Sequence, residues 1–284
     1  MSGNSDAATD GVDHATAIAA LTKGQGHKYD HGHALVIAGG VGHGGAARLS
    51  ARAALRVGAG LVTLGPPGSS LIEHAGPPDA LMRRGVDDAS GVIDLLRDAR
   101  IDALCLGPGC GIKRAADLLP VVLDAGLTTL LDADALSALS RAGFDGLHEL
   151  CVLTPHEGEF RRLFPDLGDG LARIEQDDRI ARVRDASLRT GATVLLKGPL
   201  TIIAHPDGRV RRHSAFDVPW LAAAGSGDVL AGIITGLLAR GLPPLDAAAT
   251  GAWLHAAAAR RFGPGLIADD LPEQIPALFR DLGL

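Results

Sequence analysis

The chain has 284 residues, with 27 lysines and arginines against 33 aspartates and glutamates and a formal net charge of −6. No basic block stands out and no apolar run approaches the ~18 residues of a spanning helix, so neither nucleic acid nor a membrane is an expected partner. Hydrophobic residues make up 46% and aromatics only 3%, which calls for a core of Ala, Leu, Val and Ile in tightly packed α/β layers.

The first residues are polar and lack the basic-then-apolar order of a signal peptide. Residues 1–21 are therefore expected as a flexible tail, with a single domain over 22–284. Strand patterns follow at 34–38, 61–65, 103–106, 128–131, 151–153, 193–196 and 201–204, several apolar throughout, as strands covered on both faces are. Helical patterns lie between them, near 46–58, 90–99, 113–125, 157–164 and 175–190. Alternating β and α elements predict a mostly parallel sheet flanked by helices. Residues 201–213, with Pro206-Asp207-Gly208 in the middle, read as a β-hairpin. Two long helices close the pattern, near 226–240 and 244–261, with Pro243 and Pro244 punctuating the gap. Cys105, Cys110 and Cys151 form no C-x-x-C pair, which fits unpaired thiols in a reducing cytoplasm.

Ligands of open α/β sheets collect at the carboxyl ends of the strands, and the polar clusters here follow that rule. The most telling is Gly225-Ser226-Gly227-Asp228, a glycine turn feeding a helix. Such a turn presents unpaired N–H groups and the positive end of the helix dipole, a site for phosphate. A carboxylate facing it points to an acid or base beside a transferring phosphoryl group. The bland alternative is an Asp that merely favours the dipole. Gly40-Val41-Gly42-His43-Gly44-Gly45 matches the dinucleotide fingerprint G-x-G-x-x-G. The acidic residue that should follow at the end of the second strand is missing, since that strand runs Thr63-Leu64-Gly65-Pro66-Pro67. The pattern therefore argues for a glycine-rich ligand loop and against a hydride-transfer site.

In Thr154-Pro155-His156-Glu157-Gly158-Glu159, Glu159 is placed to reach a metal or its waters, or to cap the helix together with Glu157. Lys197-Gly198-Pro199-Leu200-Thr201 joins two strands and suits either a nucleotide contact or an ordinary turn. Of Asp132 and Asp134, at least one is expected to cap the following helix. His14, His27, His31, His33 and His43 lack zinc spacing, and His255, in an alanine-rich helix, reads as a satisfied helix residue.

Taken in order, these stretches resemble the ADP-dependent NAD(P)H-hydrate dehydratase family, the carbohydrate-kinase-like branch of the ribokinase-like superfamily. They are residues 26–40, 44–50, Leu106-Gly107-Pro108-Gly109, 130–136, 153–160, Leu195-Leu196-Lys197-Gly198 and 224–232. The resemblance runs from about Lys23 to the C-terminus and implies a three-layer α/β/α sandwich with a mostly parallel central sheet. It also implies a lyase that restores NAD(P)H from the S epimer of its hydrated form (NADHX or NADPHX), converting ADP to AMP and phosphate. Hydroxide leaves poorly, and phosphorylating the ring hydroxyl turns it into a good leaving group.

By the same resemblance Asp228 is the base, and Gly225, Ser226 and Gly227 form the anion hole. Ala46, Gly109, His156 and Asp228 contact the hydrated nicotinamide nucleotide. Lys197, Gly198, Pro199, Leu200, Thr201 and Gly227 contact the AMP portion. Glu159 organises magnesium indirectly, through water or phosphate. A cytoplasmic homotetramer working with a separate epimerase completes the implied picture. Two other functions share these motifs: a small-molecule kinase of the same superfamily, and a non-catalytic nucleotide sensor.

Overall fold

In the computed structural model, residues 9–12, 14–98 and 100–284 are described. The elements run, in chain order, β1 (Thr9–Asp10), α1 (His14–Leu21), β2 (His33–Ile37), α2 (Gly44–Arg56), β3 (Leu61–Gly65), β4 (Met82–Arg83), α3 (Ala89–Asp98), β5 (Ala103–Leu106), α4 (Ile112–Asp124), β6 (Thr128–Leu131), α5 (Ala133–Ala142), β7 (Cys151–Leu153), α6 (Glu157–Leu163), α7 (Pro165–Gly168), α8 (Gln176–Thr190), β8 (Thr193–Leu196), β9 (Leu200–Ala204), β10 (Val210–Ser214), α9 (Ser226–Ala239), α10 (Pro244–Phe262) and α11 (Asp270–Asp281).

The described strands form one ten-stranded sheet in the order β1-β10-β9-β8-β7-β6-β5-β2-β3-β4. All neighbours are parallel except β8 with β9 and β9 with β10, the hairpin end. Side chains alternate along each strand, so adjacent residues serve opposite faces. Ala34 and Val36 of β2 join a core with α2, α9, α10 and α11. Leu35 and Ile37 join a second core with α4, α5, α6 and α8. That is the expected three-layer α/β/α sandwich. The near-continuous apolar strands follow from it, since both faces of the sheet are covered.

Helix α9 lies so close to α2 that a Cβ on Gly232 would stand 2.1 Å from the Ser50 carbonyl oxygen. Glycine costs about 1 kcal/mol in a helix relative to alanine. Here it lets Ser50 Oγ donate to the Asp228 carbonyl at 2.7 Å and to the Ala46 carbonyl at 3.2 Å. The starts of the two helices, and with them one rim of the sheet, are locked together.

Three regions differ from the pattern reading. Of the expected 1–21 tail, residues 1–8 lie outside the described residues. Thr9–Asp10 pairs in parallel with β10, and His14–Leu21 is a helix with Ala17 and Leu21 buried. Its apolar residues pack onto the domain, so this part of the segment belongs to the fold. Helix α11 escaped the pattern because Pro272 and Pro276 interrupt it, yet Leu271 and Ile275 are buried. Strands β1 and β4 are two residues each, too short to carry alternation.

Candidate active site

At the start of α9, Gly225 takes the left-handed conformation (φ 85°) as N-cap, with no side-chain cap. The Ser226 N–H is taken by the Ala223 carbonyl at 3.2 Å. The next N–H, that of Gly227, has no acceptor within the helix. Asp228 is the third helical residue and half-buried. Burial pushes its carboxyl up to about 6, helped by the negative charge of Asp132 and opposed by the Lys197 ammonium. Near a helix N-terminus a carboxyl would ordinarily be more acidic. Desolvation and neighbouring carboxylates reverse that here.

Lys197 sits where β8 turns into β9, its N–H donating to the Pro155 carbonyl at 2.8 Å. Its ammonium is 2.7 Å from Asp132 Oδ1, 3.9 Å from Glu159 Oε2, and 3.5 Å from where a Cβ on Gly227 would stand. Burial, the largest single influence, lowers its pKa, but the carboxylates of Asp132 and Glu159 outweigh it and hold the net value above the ordinary lysine value. The rim thus gathers one permanent cation, a buried carboxylate partner for it, and a carboxyl that titrates near neutrality. Thr201 Oγ1 donates to the Gly198 carbonyl at 3.1 Å, and the Pro199 carbonyl accepts from the Ala215 N–H at 2.7 Å, which brace the turn.

His156 and Glu159 form a reciprocal cap on α6. His156 Nδ1 accepts from the N–H groups of Gly158 (2.9 Å) and Glu159 (3.3 Å), and Glu159 Oε2 accepts from the His156 N–H at 2.9 Å. The imidazole does the work of an Asn or Asp cap. Nδ1 is occupied as an acceptor and Nε2 lies 3.5 Å from Glu159 Oε2, yet 57% of the side chain remains accessible. Among the described residues no group of three or more His, Cys, Asp or Glu side chains is arranged to cage a metal. The residues present therefore fit magnesium only in its usual manner, through nucleotide phosphates and waters with Glu159 beside them.

Asp132 and Asp134 do not cap α5 with their side chains. Asp132 occupies the N-cap position but is 2% exposed and committed to Lys197. Asp134 Oδ2 instead accepts from the Gly111 N–H at 2.8 Å, tying down the loop after β5. In that loop a Cβ on Gly109 would stand 2.5 Å from the His43 carbonyl oxygen and 3.2 Å from the Ala46 Cβ. Gly109 and Ala46 are therefore neighbours, and Ser50 links Ala46 to Asp228. The glycine-rich turn before α2 carries a surprise. Its Gly42 and Gly44 N–H groups, the donors a phosphate would use, are taken by the Glu73 carboxylate at 2.8 and 3.2 Å. These hydrogen bonds, led by that from Gly42, hold the Glu73 carboxyl below its ordinary value. In this structure those two donors are filled from within the chain.

The profile of the NAD(P)H-hydrate dehydratase family matches residues 34–276, a span that contains every one of these groups. The chain belongs to the NAD(P)H-hydrate dehydratase family. It is 40% identical to the bifunctional NAD(P)H-hydrate repair enzyme of Moorella thermoacetica, over 90% of this chain and 51% of that one. It is 39% identical to the ADP-dependent (S)-NAD(P)H-hydrate dehydratase of Neisseria meningitidis serogroup B, over 82% of this chain and 78% of that one. The ADP/ATP-dependent NAD(P)H-hydrate dehydratase of Bacillus subtilis, co-crystallised with ATP and Mg²⁺, superposes with a TM-score of 0.76 at 25% identity, covering 95% and 97% of the two chains. The chain spans about half the length of the bifunctional relatives it matches.

Within this dehydratase-family site, Glu73, Ser50 and the pairing of Asp132 with Lys197 were not visible as site features in the sequence. Asp132 stood next to Asp134 in a recognisable motif, but its partner lies 65 residues away. Glu73 and Ser50 carry no spacing signal at all.

Proposed function

We propose that the chain is an ADP-dependent (S)-NAD(P)H-hydrate dehydratase. The observation that carries the reading is Asp228: a half-buried carboxyl titrating near 6, in the first turn of α9, beside the Lys197 ammonium. A general base works best with a pKa near the operating pH, and Asp228 is ionised at neutral pH but not far from its pKa. It accepts the proton of the ring hydroxyl as that oxygen attacks the β-phosphorus of ADP and AMP leaves. The Gly227 N–H and Lys197 face the developing negative charge. The ring nitrogen then expels the phosphate, and loss of a proton from the adjacent carbon restores the double bond of NAD(P)H. Magnesium, when bound, would neutralise charge on the nucleotide phosphates, and Glu159 is the residue that would hold its waters.

Around this centre, Ala46, Gly109 and the exposed part of His156 belong to the hydrated nicotinamide nucleotide. Residues 197–201 belong to the AMP portion. A homotetramer and a separate epimerase partner are part of the same reading. Among the described residues no helix is long and apolar enough to cross a membrane. The test is to supply hydrated NADH, ADP and magnesium and follow the reduced-nicotinamide absorbance. Its return, with AMP and phosphate formed, is the expected result. A stable phosphoester product would instead make the chain a small-molecule kinase.

A further inference from the structure

His255 is a buried polar side chain that the proposed reaction leaves without a task. It sits in α10 among buried alanines (Ala252, Ala256, Ala259) and is itself 8% exposed. An unpaired imidazole there would cost about 1–3 kcal/mol. It is paired: Nε2 lies 2.9 Å from the Ser226 carbonyl oxygen and 3.1 Å from Ser226 Oγ. A carbonyl only accepts, so the hydrogen-bond network assigns the proton to Nε2. Burial pushes the imidazole down to about 4, so it is neutral at physiological pH and acts as a directed dipole.

The carbonyl it holds belongs to the peptide that joins Ser226 to Gly227. A peptide is planar and trans, so its C=O and N–H point in opposite directions. That oxygen also accepts from the Leu230 N–H within α9, so His255 is a second donor that holds a peptide the helix already orients, with the Gly227 N–H pointing the opposite way. The Lys197 ammonium borders that residue, 3.5 Å from where a Gly227 Cβ would stand. The preceding N–H is already spent on Ala223. First turns fray, and the glycines at 225 and 227 add backbone freedom, so a tether from a neighbouring helix matters most here.

We infer that His255 is a positioning residue for the anion hole, fixing through the Ser226 carbonyl the direction in which the Gly227 N–H meets the terminal phosphate of a nucleoside diphosphate. The inference rests on the proposed function for the identity of that phosphate.

The experiment compares wild type with His255→Leu, His255→Gln and His255→Asn. Glutamine places an amide N–H about where Nε2 stands, whereas asparagine reaches only as far as Nδ1. Two quantities are read: kcat and KM with hydrated NADH, and the ratio of ADP to AMP affinity by calorimetry, with melting temperature as the folding control. His255→Leu should lose about ten- to a hundredfold in kcat, somewhat less than deleting a donor outright. Its KM for the hydrate should stay within about threefold, as for an interaction made mainly in the transition state. Its preference for ADP over AMP should shrink toward one. His255→Gln should recover both quantities and His255→Asn should not, a contrast that decides the matter even if the leucine variant does not fold. A folded leucine variant with wild-type kcat and ADP preference, or a glutamine variant as impaired as asparagine, overturns the inference. If wild type regenerates no NADH, the dehydratase reading fails while the ADP-to-AMP ratio still decides the role of His255. A wild type that does not prefer ADP to AMP overturns that role too.

Discussion

Two glycine-rich turns lead into helices on the same rim, and they have opposite fates. Before α2, the N–H groups of Gly42 and Gly44 are filled by the chain's own Glu73 carboxylate. Before α9, the Gly227 N–H is left without an intrahelical acceptor, next to a permanent cation at Lys197 and a carboxyl at Asp228 that titrates near 6. Glycines and a helix N-terminus are common to both. What separates them is the charge that neighbouring elements bring: an internal anion at one, a buried Lys197–Asp132 pair at the other. A glycine motif identifies a place where an anion can sit, and the surrounding residues decide whether it is a ligand or part of the protein.

The sharpest way to break this contrast is at Asp228. Asp228→Asn should lower kcat by at least ~10²-fold, the low end for a positioned base, while ADP still binds by calorimetry. The same change should raise stability at pH 7, by an amount on the order of 1–2 kcal/mol. The sign follows from the raised carboxyl: folding disfavours its charged form, so its penalty appears as pH rises through the ordinary carboxylate range and is complete above about 6. Thermal melts at pH 4 and pH 7 would show the gain only at the higher pH.

Next in size is Lys197→Met, expected to lose about ten- to a hundredfold in kcat/KM for ADP through the missing cation. It also leaves Asp132 buried without its partner, a loss on the order of 3–5 kcal/mol that Asp132→Asn in the same chain should largely relieve. Urea melts of the single and double variants check this. The pH profile offers a subtler reading. In wild type, kcat/KM should fall as pH drops through about 6, because the base becomes protonated. Since Lys197 holds Asp228 down, removing it should move that acid limb to higher pH. The smallest effect belongs to the other turn. Glu73→Gln should change kcat by less than about threefold, because its hydrogen bonds to Gly42 and Gly44 brace the turn without touching the reacting atoms. It should lower the melting temperature modestly, and only above the depressed pKa where the carboxylate is charged. A loss of activity as large as that of Asp228→Asn would erase the distinction between the turns.

The sheet was legible where physics is local. The five runs at 61–65, 103–106, 128–131, 151–153 and 193–196 are strands over those same residues, because burial on both faces leaves stretches that are mostly apolar and β-branched. Helix α11 was masked by Pro272 and Pro276, and α1 by its place in a segment that opens on polar residues. The site was legible as types and order: Asp228, Lys197, His156 and Glu159 sit at strand ends and helix starts, as the motifs suggested. Its wiring was not. Asp132 looked like a cap and proved to be the partner of Lys197. His156, expected to contact the hydrated nucleotide, also caps α6 through Nδ1. Glu73 and His255 owe their partners to tertiary packing, which puts His255 beside a residue 29 positions earlier in the chain.

The most direct test is a single-turnover mixture of enzyme, (S)-hydrated NADH, ADP and magnesium, with nucleotides and phosphate quantified together. NADH, AMP and phosphate should appear in equal amounts with wild type and not with Asp228→Asn. AMP formed with a persisting phosphorylated nucleotide, or NADH regenerated at the wild-type rate by Asp228→Asn, would contradict the account.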